Sequence, residues 1–177
     1  MNWTWLTWLL FSFKGRIQRL YWWIGSLVVG MVTGMASSTI EFVARSYGLG
    51  AVDADTNQFE PTGVLGALLV AIGILNVWVN YALSAKRLHD RNRSGWWLVA
   101  PTVTLLIAIL LAFVMFAQPG GQREPWNSAA VLFTLATAAL GIWLFLEIGF
   151  LRGTEGPNRY GPDPLGQKAG DAPLSPP

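Results

Sequence analysis

The chain has 177 residues, 53% of them apolar and 12% charged, with 10 tryptophans and a formal charge of +2. Soluble domains carry roughly a quarter charged residues, so this balance excludes an ordinary soluble globule, and the small net charge argues against a nucleic-acid binder. The absence of cysteine excludes disulfides, thiol catalysis and cysteine metal sites; with a single histidine a histidine-rich metal centre is excluded too, and no cofactor is expected.

The chain opens on Asn2 to Phe13, with Trp3, Trp5, Trp8 and Phe11, and its positive charge (Lys14, Arg16, Arg19) follows this stretch instead of preceding it as in a signal peptide. A bilayer span needs about 20 apolar residues, so residues 1–19 are expected to be retained as an interfacial segment, where tryptophan rings collect. A first span is predicted over about residues 20–40, opened by Tyr21, Trp22 and Trp23. Within it Ser26, Gly30, Gly34 and Ser38 share one helix face. Small residues at that spacing admit a second helix closely, either within the chain or from a second copy in a homo-oligomer.

Residues 41–62 form a polar loop carrying Glu41, Asp53, Asp55 and Glu60 against Arg45. The second span, about 63–85, carries Asn76, Asn80 and Ser84 on one face. Amides facing lipid would lack partners, so this face is expected to turn toward other helices, for interhelical hydrogen bonds or to line a polar path. After a polar insert, Lys86 to Trp97, the third span is predicted over about 96–117, with Pro101 in its first turns, where a missing N–H costs least. A short loop containing PGG then leads to a fourth span, about 129–151. Near its end stands Glu147, the one acid inside a predicted span, for which Arg152 is too far round the helix and Arg87 is the expected partner. Residues 152–164 read as a turn motif, and 165–177 as a disordered tail, too poor in apolar groups to pack.

Charge then orients the bundle. Lys14, Arg16 and Arg19 precede span one; the loop after it is acidic; Lys86, Arg87, Arg91 and Arg93 outweigh Asp90 in the insert; the tail is neutral with three basic residues. Basic residues near span ends stay in the cytoplasm. The expected fold is therefore an all-α membrane protein with a four-helix transmembrane domain, residues 20–151, and both termini inside.

Three motifs meet on the predicted cytoplasmic face: Phe13-Lys14-Gly15-Arg16 with Arg19 and Trp22-Trp23; RLHD (87–90) with SGWW (94–97); and GPNRYGPDP (156–164). From about Phe11 to Pro164 they closely resemble the YhaH-like family of small bacterial inner-membrane proteins, a domain of unknown function, DUF805. Leu20 and Tyr21 depart from it, standing where that family often has charged residues. The resemblance implies a multi-pass fold in a bacterial cytoplasmic membrane and no activity.

The residues themselves offer three functions. The first is a non-enzymatic module whose cytoplasmic face binds anionic lipid headgroups or a partner protein. Arg16, Arg19, Lys86, Arg87, Arg91 and Arg93 would supply charge beside Trp22, Trp23, Trp96 and Trp97, each cation contributing roughly 1 kcal/mol near an anionic leaflet. Generic positive-inside anchoring explains the same charges. The second is a small oligomeric transporter or channel using Asn76, Asn80 and Glu147. The third is a membrane enzyme at His89 and Asp90 with Ser94 as nucleophile; geometry opposes it, since adjacent residues on a helix do not face each other. His89 is better read as a structural hydrogen-bond donor, and Asp90 as a cap or a partner for an arginine. The glycines make no phosphate loop. Asn158, Arg159, Tyr160 and Asp163 are expected to fold the tail turn back onto the insert.

Overall fold

The computed structural model describes residues 3–52, 59–117 and 124–166, with the backbone alone at 115–117 and 124–127. Loop residues 118–123 and the tail from residue 167 onward, predicted to be disordered, lie outside the described residues. The elements run α1 (Trp3–Phe11), α2 (Arg19–Tyr47), β1 (Gly50–Val52), β2 (Phe59–Pro61), α3 (Gly63–Asp90), a 3-10 turn (Gly95–Leu98), α4 (Val99–Ala117) and α5 (Glu124–Gly149).

Four helices are long and apolar enough to cross a membrane: Arg19–Ser46, Gly63–Asp90, Gly95–Val114 and Ser128–Gly149. At about 1.5 Å per residue, even the shortest matches a hydrocarbon core of about 30 Å. Their apolar faces stay uncovered by the chain, as at Val32, Met35, Phe113 and Leu132. A water-soluble protein rarely exposes so much contiguous apolar surface, whereas lipid solvates it.

Helix ends differ from the sequence reading. α2 continues past Ile40 to Tyr47 and stops at Gly48, whose φ of +64° allows Leu49 N to donate to Ala44 O at 2.8 Å. α3 likewise continues through Lys86 to Asp90, so the first five residues of the expected insert are helix, not loop. Its stop is the same motif with Asn92 (φ +57°) in the glycine position, where Arg93 N donates to Leu88 O at 2.9 Å. Asparagine tolerates this left-handed conformation because its short side chain bonds locally. The all-α expectation also needs an amendment: β1 and β2 pair antiparallel, with Ala51 opposite Glu60, inside the loop read as irregular. A Cβ at Gly50 would strike the Phe59 ring and the Glu60 carbonyl, so the pairing requires glycine there.

The chain divides into two compact units. One contains α1, α2, the hairpin and α3 as far as Leu83. There Trp5 meets Tyr21 edge-on at 5.8 Å, and Phe13 meets Trp78 at 5.2 Å. Asn76 donates to Thr33 Oγ1 at 2.7 Å, the interhelical hydrogen bond expected of the asparagine face, and Asn80 donates to Asn76 O at 2.9 Å. The small-residue stripe is open at its two glycines, whereas the Ser26 hydroxyl is buried. A Cβ at Gly30 or Gly34 would meet nothing within 4 Å, and the close approach is at Gly25, where it would lie 3.0 Å from Leu83 Cδ1.

The other unit comprises Lys14–Arg19 and the described residues from Ser84 onward. α4 packs along α5, and Trp97 meets Trp143 edge-on at 5.2 Å. Its buried residues combine Ile17, Leu88, Leu144 and Ile148 with Arg16, Lys86, Arg87, Asp90 and Glu147. Burial concentrates on charge because lipid can cover apolar side chains but offers no partner to polar ones.

Candidate functional site

The helical period places Arg87 and Asp90 three residues apart on one face of α3, where Arg87 Nη1 pairs with Asp90 Oδ2. Arg16, on the segment before α2, donates to the other oxygen of the same carboxylate, from Nε at 3.1 Å and Nη2 at 3.0 Å. Its remaining donors reach Gly156 O at 2.8 Å and Thr154 O at 2.7 Å. Arg87 Nε donates to Ile148 O at 2.9 Å and Nη2 to Leu151 O. Asp90 thus sits between two buried guanidinium groups whose surplus charge is met by carbonyls, the condition under which a buried ion cluster is tolerable.

The carbonyls that meet Arg87 lie at or just past the end of α5, and a helix end leaves acceptors unsatisfied and carries partial negative charge. At the end of α5, Ile148 and Leu151 receive Arg87, Phe150 receives Arg19 at 3.4 Å, and Arg152 receives Arg91. The end of α3 is capped in return by the tail. Thr154 N and Oγ1 donate to Asp90 O at 2.8 and 2.9 Å, Asn158 Nδ2 to His89 O at 2.9 Å, and Arg159 Nη2 to Asn92 O at 3.2 Å. The end of α3 meets groups from the continuation of α5, the end of α5 meets Arg87 of α3, Arg91 just past it and Arg19 of α2, and the tail turn closes on the insert as expected.

The turn is built by its own side chains. Asn158 and Gly161 exchange backbone bonds, Asn158 Oδ1 accepts from Tyr160 N at 2.9 Å, and Asp163 accepts from Leu165 N at 2.9 Å and Gly156 N at 2.8 Å. The Leu165 and Gly156 amides, with Arg16 nearby, hold the Asp163 carboxyl below its ordinary range against a smaller opposing effect of burial. Gly156 and Gly161 have φ of +74° and +139°, which side-chain-bearing residues rarely adopt.

His89 Nδ1 donates to Gly15 O at 3.2 Å, and its ring stacks on Tyr160 with centroids 3.9 Å apart. Ser94 accepts from Trp96 N at 3.3 Å as the cap of the 3-10 turn. His89, Asp90 and Ser94 are each engaged in holding the chain, and among the described residues no hydrogen bond joins the three side chains to one another.

Glu147 corrects a further expectation. Its partners are Arg91, with Nε at 3.1 Å, and Arg93, with Nε at 2.6 Å; Arg87 is occupied by Asp90. The headgroup role expected of Arg16 and Arg87 is corrected too, because both are buried with all three nitrogens of each bonded to protein acceptors. Exposed instead are Lys14, Arg19, Arg152, Arg159, Trp96 and Trp97. Asn76 and Asn80 belong to the other unit and bond as described above.

Sequence reasoning overlooked Thr154 and Trp143, and took Gly153 for a turn residue only. A Cβ on Gly153 would strike the Asp90 carboxylate. Trp143 stands one turn before Glu147 and lies under Arg93. That i, i+4 spacing on one face was a usable signal; Thr154 had none.

A family model described as "Protein of unknown function (DUF805)" matches residues 10–162. The chain belongs to this family. The DUF805 match takes in the first two motifs whole and the third as far as Pro162, the segments that meet around Asp90. The chain is similar to "Uncharacterized protein YiiR" of Escherichia coli strain K12, with 33% identity over 156 residues, 87% of this chain and 86% of the relative. The same-named protein of Escherichia coli O157:H7 matches with the same figures. No solved structure matches.

Proposed function

We propose that this DUF805 member is a non-catalytic, multi-pass module of a bacterial cytoplasmic membrane, with both termini inside and a cytoplasmic face that binds anionic lipid headgroups. The observation that carries this reading is the division of the cations. Arg16 and Arg87 are buried and saturated, whereas Lys14, Arg19, Arg152 and Arg159 are exposed in the same unit as Trp96, itself 79% exposed. Exposed cations at a span end contribute roughly 1 kcal/mol each near an anionic leaflet, and tryptophan favours that level. A homo-oligomer is assigned to the Ser26, Gly30, Gly34 and Ser38 face of α2, which is open at both glycines.

Co-purifying lipid tests the reading. R19Q/R152Q/R159Q should lose preference for phosphatidylglycerol over phosphatidylcholine while still unfolding cooperatively; an unchanged preference refutes it. Because native cysteine is absent, single cysteines at Asp55 and Lys168 test orientation, and labelling of both from one side breaks the assignment. Disulfide cross-linking through Gly34→Cys tests the oligomer; monomer alone under oxidation refutes it.

A further inference from the structure

Among the arginines of this unit, Arg93 is fixed on two sides and open on a third. Its Nε stands 2.6 Å from Glu147 Oε1 in an ion pair, and its guanidinium lies over the Trp143 ring at 5.6 Å from the centroid. Its two terminal nitrogens have no acceptor among the described residues, and the side chain is 39% exposed. Arg16, Arg87 and Arg91 differ in this respect, since each has all three guanidinium nitrogens bonded to the protein.

Glu147 is shared between Arg91 and Arg93, so two cations meet one carboxylate and a positive charge is left over. Arg93 stands two residues before the span Gly95–Val114, while Trp143 and Glu147 occupy the last turns of Ser128–Gly149. Trp97, packed edge-on against Trp143, is 44% exposed beside them. The carboxylate and the ring orient the fork before any ligand arrives, which lowers the ordering cost of binding. A planar pair of N–H groups matches two oxygens of a phosphate better than an ammonium does.

We propose that the open edge of Arg93 is a phosphate site, occupied at the membrane surface by the phosphate of a phospholipid or by free phosphate. It rests on the reading above in placing this end at a headgroup layer, but its selectivity is different. The surface cations select net negative charge, whereas Arg93 recognises the phosphate that zwitterionic and anionic phospholipids share.

Native mass spectrometry of the purified full chain, titrated with phosphatidylglycerol, phosphatidylcholine or inorganic phosphate, separates these cases. The expected result is one tightly held phospholipid of either class, weakened roughly tenfold or more in Arg93→Lys, which retains the ion pair with Glu147 but loses the fork. Thermal midpoints without added lipid establish that Arg93→Lys is folded, so the result stands even if Arg93→Gln does not fold. Wild-type lipid and phosphate affinity in Arg93→Lys overturns the inference whatever R19Q/R152Q/R159Q does. Absence of anionic preference in the wild type, with the Arg93-dependent lipid still retained, overturns the surface reading and leaves this one standing. Inorganic phosphate bound as tightly as lipid, and lost in Arg93→Lys, supports the site and identifies free phosphate as its ligand.

Discussion

Replacing Asp90 by Asn removes the one negative charge shared by Arg16 and Arg87 while conserving shape. The amide can still accept at Oδ1, where Arg16 Nε and Nη2 stand at 3.1 and 3.0 Å, but its NH2 group now faces Arg87 Nη1, donor against donor. Two buried guanidinium groups are then left with carbonyls alone. Breaking a buried pair in this way costs about 3–5 kcal/mol. For a chain of this size each kcal/mol lowers the midpoint by about 2–4 °C, so a loss of about 6–20 °C is expected. The assay is thermal unfolding in detergent, followed by tryptophan fluorescence and by the retained monomer peak on gel filtration. Arg16→Gln should cost less when added to Asp90→Asn than when made alone, because the interaction is already broken. A midpoint for Asp90→Asn within about 2 °C of wild type, or strict additivity in the double variant, refutes the account of Asp90 as the hub.

Deleting residues after Gly153 removes the Thr154 and Asn158 caps of α3 and the four acceptors that Thr154, Gly156 and Gly161 offer Arg16, so the midpoint should fall; an unchanged value means the turn holds nothing. Thr154→Ala alone should cost about 1–3 kcal/mol by denaturant titration, because its hydroxyl donates to Asp90 O and accepts from Asn158 Nδ2 and Arg16 Nη2. Gly153→Ala should destabilise by collision with Asp90, whereas Gly30→Ala and Gly34→Ala should leave the monomer as stable or raise it by up to about 1 kcal/mol each through helix propensity, in the same measurement. Because the Asp163 carboxyl is depressed in the fold, its stabilisation is full above the ordinary aspartate range near pH 4 and disappears as pH falls through the lower folded value. Amide chemical shifts of Gly156 and Leu165 should report that loss on acidification, and Asp163→Asn should remove the pH dependence.

The fold was legible wherever a single variable governs it. Charge-free runs of about 20 residues read as spans in such a chain, and all four coincide with helices long and apolar enough to cross a membrane. Boundaries were less legible at the ends of α2 and α3, because charged side chains do not stop a helix when water or an ion partner meets them. Glu41 lies exposed within α2, and Arg87 and Asp90 pair within α3. The hairpin was missed because Gly50–Val52 and Phe59–Pro61 are each only three residues, too short for an alternating pattern.

The sequence by itself determined that this is a membrane protein with four helices long and apolar enough to span, since apolar length acts locally. Only the tertiary structure decided what each cation does. Arg16 and Arg87 are as basic in the sequence as Arg93, yet the first two are buried against Asp90 and the ends of α3 and α5, and the third keeps an open edge. That difference depends on carbonyls from residues about 60 to 145 positions away, such as Ile148 for Arg87 and Gly161 for Arg16, and no local pattern records where a helix end will be brought.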